Sequence, residues 1–253
     1  MERYEICFSP TGGTKKATKM LTEVLTGDFK TVDLTDSTVV FQNIALKKDD
    51  LAVISVPSYN GRVPHLAAER LGKIQGNGAK AILLCSYGNR AYEDTLVELR
   101  DIANQAGFRI VAAIAAVAEH SIAHQFATGR PDKKDQAQLH TFAEMIQSKL
   151  DTGDDSEPVI PGNRPYKKDG GVTMVPKPTK NCTTCGLCAQ ECPAQAIDAS
   201  DPKKVDKKKC ISCMRCVSVC PHSARSINAV MLSVVGMALK KACANRKDNE
   251  LYK

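Results

Sequence analysis

Tyr4-Glu5-Ile6-Cys7-Phe8-Ser9-Pro10-Thr11-Gly12-Gly13-Thr14-Lys15 passes from a short apolar run into a loop of hydroxyls and glycines. Helical periodicity follows over Lys15–Leu25, so the segment reads strand, turn, helix. At a helix N-terminus the free N–H groups point outward and the dipole favours negative charge. Ser9, Thr11 and Thr14 are candidate donors to phosphate oxygens, and Gly12 and Gly13 allow close backbone approach. The loop lacks the Gly-x-x-x-x-Gly-Lys-[Ser/Thr] spacing of a Walker A motif, and it lacks Gly-x-Gly-x-x-Gly. The plain alternative is an ordinary capped helix start.

The same alternation continues outward from this segment. Short apolar runs lie at Leu51–Val56, Ala79–Cys85 and Phe108–Val117, with a weaker one at Phe29–Leu34. Helical patterns lie at Leu66–Ile74, Tyr92–Ala106 and Asp132–Leu150, the last with Pro131 at the expected first helical position. Strands with little polar alternation, separated by helices, imply a parallel sheet covered on both faces. The expected fold is α/β, a doubly wound five-stranded parallel sheet whose ligand site lies at the strands' carboxyl ends. Two more loops there pair a tyrosine with a glycine: Pro57-Ser58-Tyr59-Asn60-Gly61-Arg62-Val63-Pro64 and Ser86-Tyr87-Gly88-Asn89-Arg90-Ala91-Tyr92. Aromatic faces stack on a flat ligand, and Asn-Gly supplies backbone groups to its edge.

On these residues the first 150 positions resemble flavodoxin-like domains. The family binds the phosphate of FMN through Ser/Thr-x-Thr-Gly-x-Thr, a pattern met by Ser9, Thr11, Gly12, Gly13 and Thr14. The resemblance places the flavin-ring loops at Ser58–Gly61 and Tyr87–Tyr92, implicating Ser58, Tyr59, Asn60, Gly61, Tyr87, Gly88, Asn89, Arg90 and Tyr92. It also implies that a peptide at Asn60-Gly61 turns its carbonyl toward flavin N5. The chain has no Trp, so Tyr59, Tyr87 or Tyr92 would stack on the ring. The Pro57–Pro64 run is similar to a variant in flavodoxin–ferredoxin fusion proteins of anaerobes.

Eleven cysteines are present, and eight of them form two runs. Cys182-x-x-Cys185-x-x-Cys188-x-x-x-Cys192-Pro193 is followed by Cys210-x-x-Cys213-x-x-Cys216-x-x-x-Cys220-Pro221. The pattern resembles bacterial two-cluster ferredoxins, in which the fourth cysteine of each run ligates the other cluster. The resemblance implies one [4Fe–4S] cluster on Cys182, Cys185, Cys188 and Cys220, and a second on Cys210, Cys213, Cys216 and Cys192. Tetrahedral zinc sites or disulfides are the alternatives. Ala196–Asp198 and Lys203–Asp206 suggest a hairpin turning at Asp201-Pro202. So small a unit lacks a sufficient core, so the metal would be structural too.

The organisation expected is 1–150 flavodoxin-like, 151–175 a Pro/Gly/Asp-rich linker, 176–228 ferredoxin-like and 229–253 a C-terminal helix and tail. The apolar face of the Ile227–Ala244 helix is expected to pack on the first domain. Cys7 and Cys85 read as buried apolar residues, and Cys243 has no ligand spacing. The five histidines form no metal pattern; His120, after the last strand, lies nearest the expected flavin edge. Lys203, Lys204, Lys207, Lys208 and Lys209 read as a solvated turn or a docking site for an acidic redox partner.

At 253 residues, with 35 Lys+Arg against 28 Asp+Glu, the formal charge is +7, which taken alone would suggest an acidic partner such as nucleic acid. Two oxidised clusters carry about −4 and a flavin phosphate about −2, leaving roughly +1, so that suggestion loses its basis. No apolar run spans a membrane, and Met1–Glu5 lacks a signal-peptide layout, so a cytoplasmic protein without membrane partners is expected. The expected function is low-potential electron transfer between two [4Fe–4S] clusters and FMN, serving a redox partner protein or a small acceptor. The alternatives are a flavin-dependent reductase of a quinone, flavin or nitroaromatic, and a ferredoxin with a flavin-free docking domain.

Overall fold

The computed structural model describes residues 1–168 and 174–253; Gly170 and Gly171 of the expected linker lie outside the described residues. The elements of the first unit are β1 (Arg3–Cys7), α1 (Gly13–Thr22), β2 (Phe29–Asp33), β3 (Leu51–Pro57), α2 (His65–Leu71), β4 (Lys80–Tyr87), α3 (Thr95–Gln105), β5 (Arg109–Val117) and α4 (Lys133–Asp151). The five strands are parallel in the order β2-β1-β3-β4-β5, the flavodoxin-like arrangement. Central strands bury both faces, which is why their sequences run apolar without alternation. On one face Leu71, Leu96 and Leu99 of α2 and α3 meet Ile54, Leu83 and Ala113. On the other, Ala17 and Leu21 of α1 and Leu139 and Ile146 of α4 meet Val53, Ile82 and Ile114.

Two local details explain departures from simple periodicity. Asp132 caps α4 by accepting from the Lys134 and Asp135 N–H groups, and Asp135 reaches back to the Asp132 N–H. Pro131 therefore precedes the cap instead of opening the helix. The β4/β5 register shifts between Ala81 and Ile82, leaving Val111 as an extra residue in β5. The Val111 carbonyl accepts from buried Lys149 Nζ at 3.1 Å.

The second unit comprises β6 (Lys177–Pro178), α5 (Leu187–Gln190), α6 (Arg215–Ser218), β7 (Arg225–Ser226) and α7 (Ala229–Lys240). The expected hairpin is present as an Ile197–Val205 bridge, with Asp198 N donating to Lys204 O. The tail then returns to the first unit. β8 (Glu250–Tyr252) pairs antiparallel with β5, Ile114 opposite Leu251, as a sixth strand. The cysteine-bearing unit is thus inserted between α4 and the last strand of the first sheet.

The expectation for the C-terminal helix changes accordingly. α7 has no buried residue, and Val230, Val234 and Met237 are exposed. Its Gly236 lies against the first unit, where an added Cβ would meet Gln125 Nε2 at 2.7 Å. The anchoring falls beyond it, on Cys243, Arg246 and Asn249. Among the described residues no helix is long and apolar enough to cross a membrane.

Candidate functional site

The carboxyl ends of β1, β3, β4 and β5 enclose a cleft with about 460 Å³ of empty space. Pro10, Thr11, Gly13 and Thr14 form one wall, and Pro57, Ser58 and Tyr59 the next. Ser86, Tyr87 and Gly88 follow, then Ala118, Glu119, His120 and Ser121. Gly12, at φ 90°, turns the chain into α1 in a left-handed conformation that favours glycine. Ser9 Oγ accepts the Lys15 N–H at 2.9 Å, and Thr14 Oγ1 shares a 2.7 Å hydrogen bond with Ser86 Oγ. The first turn of α1, whose N–H groups have no helical partners, thus stands at the cleft.

Half of the fourteen expected flavin residues line this cleft: Thr11, Gly13, Thr14, Ser58, Tyr59, Tyr87 and Gly88. The rest act nearby. Ser9 and Gly12 shape the helix start. Asn60 (φ 54°) and Gly61 (φ 82°) are the centre of a tight hairpin closed by reciprocal 3.0 Å bonds between Tyr59 and Arg62. A Cβ on Gly61 would lie 2.0 Å from Glu93 Oε2, and the Gly61 carbonyl accepts the Asp94 N–H at 3.1 Å. Neither residue lines the cleft, and the Gly61 end of the turn is pinned.

Asn89 is buried and bonds the tail, donating to Cys243 O and Asn245 O and accepting the Lys247 N–H. Arg90 pairs with Glu93 at 2.9 Å, and Tyr92 OH bonds Glu250 and Tyr252. Asn89 and Tyr92 thus hold β8 and its approach, where the Arg90 carbonyl also accepts from Lys247 Nζ. Cys7 and Cys85 are buried, with the Cys7 thiol pushed up to about 12 by desolvation. Cys243 is also buried, against Gly88 O.

His120 is a residue whose role becomes defined. Its Nδ1 accepts the N–H groups of Ile122 (3.2 Å) and Ala123 (3.1 Å), so the neutral ring carries its proton on Nε2. Burial lowers its pKa, and His124 and Arg90 add to that. A Cβ on Gly88 would come within 2.6 Å of the ring, so this contact requires glycine. His120 is a neutral donor at the cleft.

In the second unit the eight cysteines separate into two cavities. Cys182, Cys185, Cys188 and Cys220 line one of about 320 Å³, and Cys192, Cys210, Cys213 and Cys216 one of about 360 Å³. Each set surrounds a void rather than a point; among the described residues no three His, Cys, Asp or Glu converge as ligands of a single ion. The backbone repeats with the cysteines: Thr184 and Ser212, Gly186 and Met214, and Gln195 and Ser223 all have positive φ, each pair 28 apart (212 − 184, 214 − 186, 223 − 195). Ala196 N–H donates to Cys192 Sγ at 3.3 Å and Ala224 N–H to Cys220 Sγ at 3.2 Å, again 28 apart (224 − 196). Such N–H···S bonds favour the thiolate form a cluster requires. Desolvation pushes Cys213 up to about 12 and Cys216 to about 11, so as free thiols both stay protonated.

Arg225 lines both cavities and is 3% exposed. Its guanidinium donates to the carbonyls of Pro176 and Pro202, and Nε has no partner. A buried cation needs compensation, and the hydrogen bonds of this one among the described residues go to carbonyls, not to a carboxylate. Two anionic clusters would supply it. The residues present therefore fit the clusters.

The two units meet beside the cleft. Arg215, from the Cys213 cavity, donates Nη1–H to Pro10 O at 3.2 Å and is ion-paired with Glu191. Buried Arg70 donates to Leu34 O and to Pro193 O, both at 2.6 Å, and lies over the Phe41 ring. Ile211 packs against the core of the first unit.

Strand order and cysteine pattern define the class: a flavodoxin-like α/β domain carrying a ferredoxin-type iron–sulfur unit. Residues 181–225 match the 4Fe-4S dicluster domain. No curated protein matches the chain. Solved structures similar to it include rubredoxin oxygen:oxidoreductase from Desulfovibrio gigas, at 16% identity and TM-score 0.43, covering 60% of this chain and 36% of that one. Another is oxidised flavodoxin 1 from Bacillus cereus, at 13% identity and TM-score 0.42, covering 58% and 98%. A third is Fusobacterium nucleatum flavodoxin bound to flavin mononucleotide, at 18% identity and TM-score 0.39, covering 60% and 96%. The chain spans about a third of the length of the first of these. Residues 181–225 thereby mark the second unit as a ferredoxin-type iron–sulfur domain.

Proposed function

We propose that the chain is a low-potential electron carrier holding two [4Fe–4S] clusters and one FMN. The observation that carries this reading is the sorting of eight cysteines into two cavities, one joined to the cleft by the Arg215–Pro10 hydrogen bond. Thr11, Gly13 and Thr14 at the start of α1 would hold the phosphate, and Tyr59, Tyr87, Gly88 and His120 the ring system. Bound there, FMN supplies a centre that takes one or two electrons, while each cluster takes one.

The chain's own residues do three things. Backbone N–H groups and Arg225 compensate the clusters' negative charge, Tyr59 and Tyr87 give the cleft aromatic walls, and His120 presents a fixed N–H donor. Placing the centres on one chain makes their exchange intramolecular. Anaerobic purification with iron, sulfide and flavin quantified is the test. About eight irons, eight sulfides and one FMN per chain are expected; iron without flavin on FMN addition defeats the flavin part, and zinc in place of iron defeats the whole.

A further inference from the structure

α7 is apolar on both of its faces, and the protein covers only one of them. From Ile227 to Leu239 the chain carries no charged residue. Leu232, Val235, Gly236 and Leu239 are half-buried and form the face turned to the protein, with Gly236 close to Gln125. Val230, Val234 and Met237 lie at i, i+4 and i+7 on the other face and are 71%, 55% and 67% exposed. With Met231 they are four of the eight large apolar side chains exposed among the described residues. The helix cannot roll to hide them, because Ile227 before it and Cys243 after it are both buried. A contiguous apolar stripe on an element held at both ends marks an interaction surface.

The charge around the stripe says what covers it. No Asp or Glu occurs between Asp206 and Asp248, a stretch of 41 residues (247 − 206) that carries nine Lys and Arg. Lys240 and Lys241 follow the stripe and are exposed, Lys241 one turn beyond Met237 on the same face. At the other end exposed Lys177 stands opposite Ser226, three residues before the helix. Cations thus flank the apolar stripe at both ends. Lysine stems lie along apolar surface while the charge reaches its polar edge. The stripe has no aromatic ring to anchor in a protein pocket.

We infer that α7 is a membrane-surface helix. Its Val230/Val234/Met237 stripe lies in the headgroup boundary of an anionic bilayer, with Lys177, Lys240 and Lys241 on the lipid phosphates. Twelve residues at about 1.5 Å each span about 18 Å, short of the ~30 Å hydrocarbon core, so the helix rests on the membrane without crossing it. The expectation of no membrane partner rested on the lack of a spanning run, which this mode of binding does not need. Attachment is reversible, because one short stripe enters the lipid.

The test uses the full, iron-loaded chain and vesicle sedimentation. At low salt, phosphatidylcholine vesicles containing phosphatidylglycerol should bind the protein about tenfold or more tightly than phosphatidylcholine alone, and added salt should remove the difference. Val234→Glu with Met237→Glu should lower binding to the anionic vesicles about tenfold or more. Lys240→Gln with Lys241→Gln should remove most of the preference for anionic lipid, with iron content unchanged. The chain has no Trp, so Val234→Trp is a single reporter that keeps the stripe apolar, and its emission should shift to the blue with anionic vesicles. That variant also covers the case in which the Glu pair does not fold. No sedimentation with anionic vesicles, no shift of the Trp reporter, or unchanged binding in either double variant overturns the proposal. A dimer in light scattering that the Glu pair dissolves, with vesicles ignored, gives the stripe to a second copy and overturns it. Binding to an acidic ferredoxin that the Glu pair abolishes, with vesicles ignored, gives it to a protein partner and overturns it as well.

Discussion

The two units solve the same problem, a stable fold around buried polar groups, by different means. The first has a large apolar core on both faces of its sheet and buries a closed ion pair, Arg130 with Asp135, 4% and 0% exposed. The second has four buried residues in its cluster, two of them cysteines, and its buried Arg225 has no carboxylate. A sheet of this size folds on hydrophobic burial; the inserted unit depends on what its cysteines bind.

The sharpest way to break this comparison is to strip the metal. Chelation under oxidising conditions should leave residues 1–150 resistant to limited proteolysis while cleavage spreads through 174–228. Equal resistance in both would show that the second unit has a self-sufficient core. Next in size is the buried pair. Asp135→Asn leaves Arg130 uncompensated, and urea unfolding should report a loss of about 3–5 kcal/mol. Asn249→Ala tests the return of the tail: Asn249 Oδ1 accepts the buried Val117 N–H at 2.8 Å. A loss of about 1–3 kcal/mol is expected, with faster hydrogen exchange at Val117.

A smaller, pH-dependent effect belongs to Asp132. Its hydrogen-bonded pair with Arg246 holds the carboxyl below the usual aspartate range. The folded pKa is depressed, so this stabilisation is complete above that range, near pH 4, and is lost as pH falls through it. With the two side chains 40% and 37% exposed, solvent screening limits it to about 1 kcal/mol or less. Arg246→Ala should remove that part of the acid dependence of the melting temperature. Arg225→Met also removes the donors to the Pro176 and Pro202 carbonyls, but stability is not its most telling readout. Its signature is elsewhere: losing a buried cation beside the clusters should lower their reduction potentials in a spectroscopic titration.

The five parallel strands, the covering helices and the position of the cleft were legible in the sequence because each follows from periodicity and strand order alone. The grouping of the cysteines came from the resemblance to two-cluster ferredoxins, because the repeated spacing alone would leave Cys192 and Cys220 each with its own run. Two things were not legible. β8 is three residues long, too short for any period, and its pairing with β5 depends on Asn89, Tyr92 and Asn249, whose partners lie 111 or more residues away in sequence. For that reason Asn89, Arg90 and Tyr92 read as ligand contacts when they secure the tail. The role of His120 depends on the turn that follows it, because the Ile122 and Ala123 N–H groups select its tautomer.

The insertion has a consequence for synthesis. β8 is made only after the whole cysteine-bearing segment, so the alanine-rich edge of β5 stands unpaired while that segment emerges. An open strand edge invites pairing with another chain. Closure of the first sheet therefore waits until the whole cysteine-bearing segment has been made.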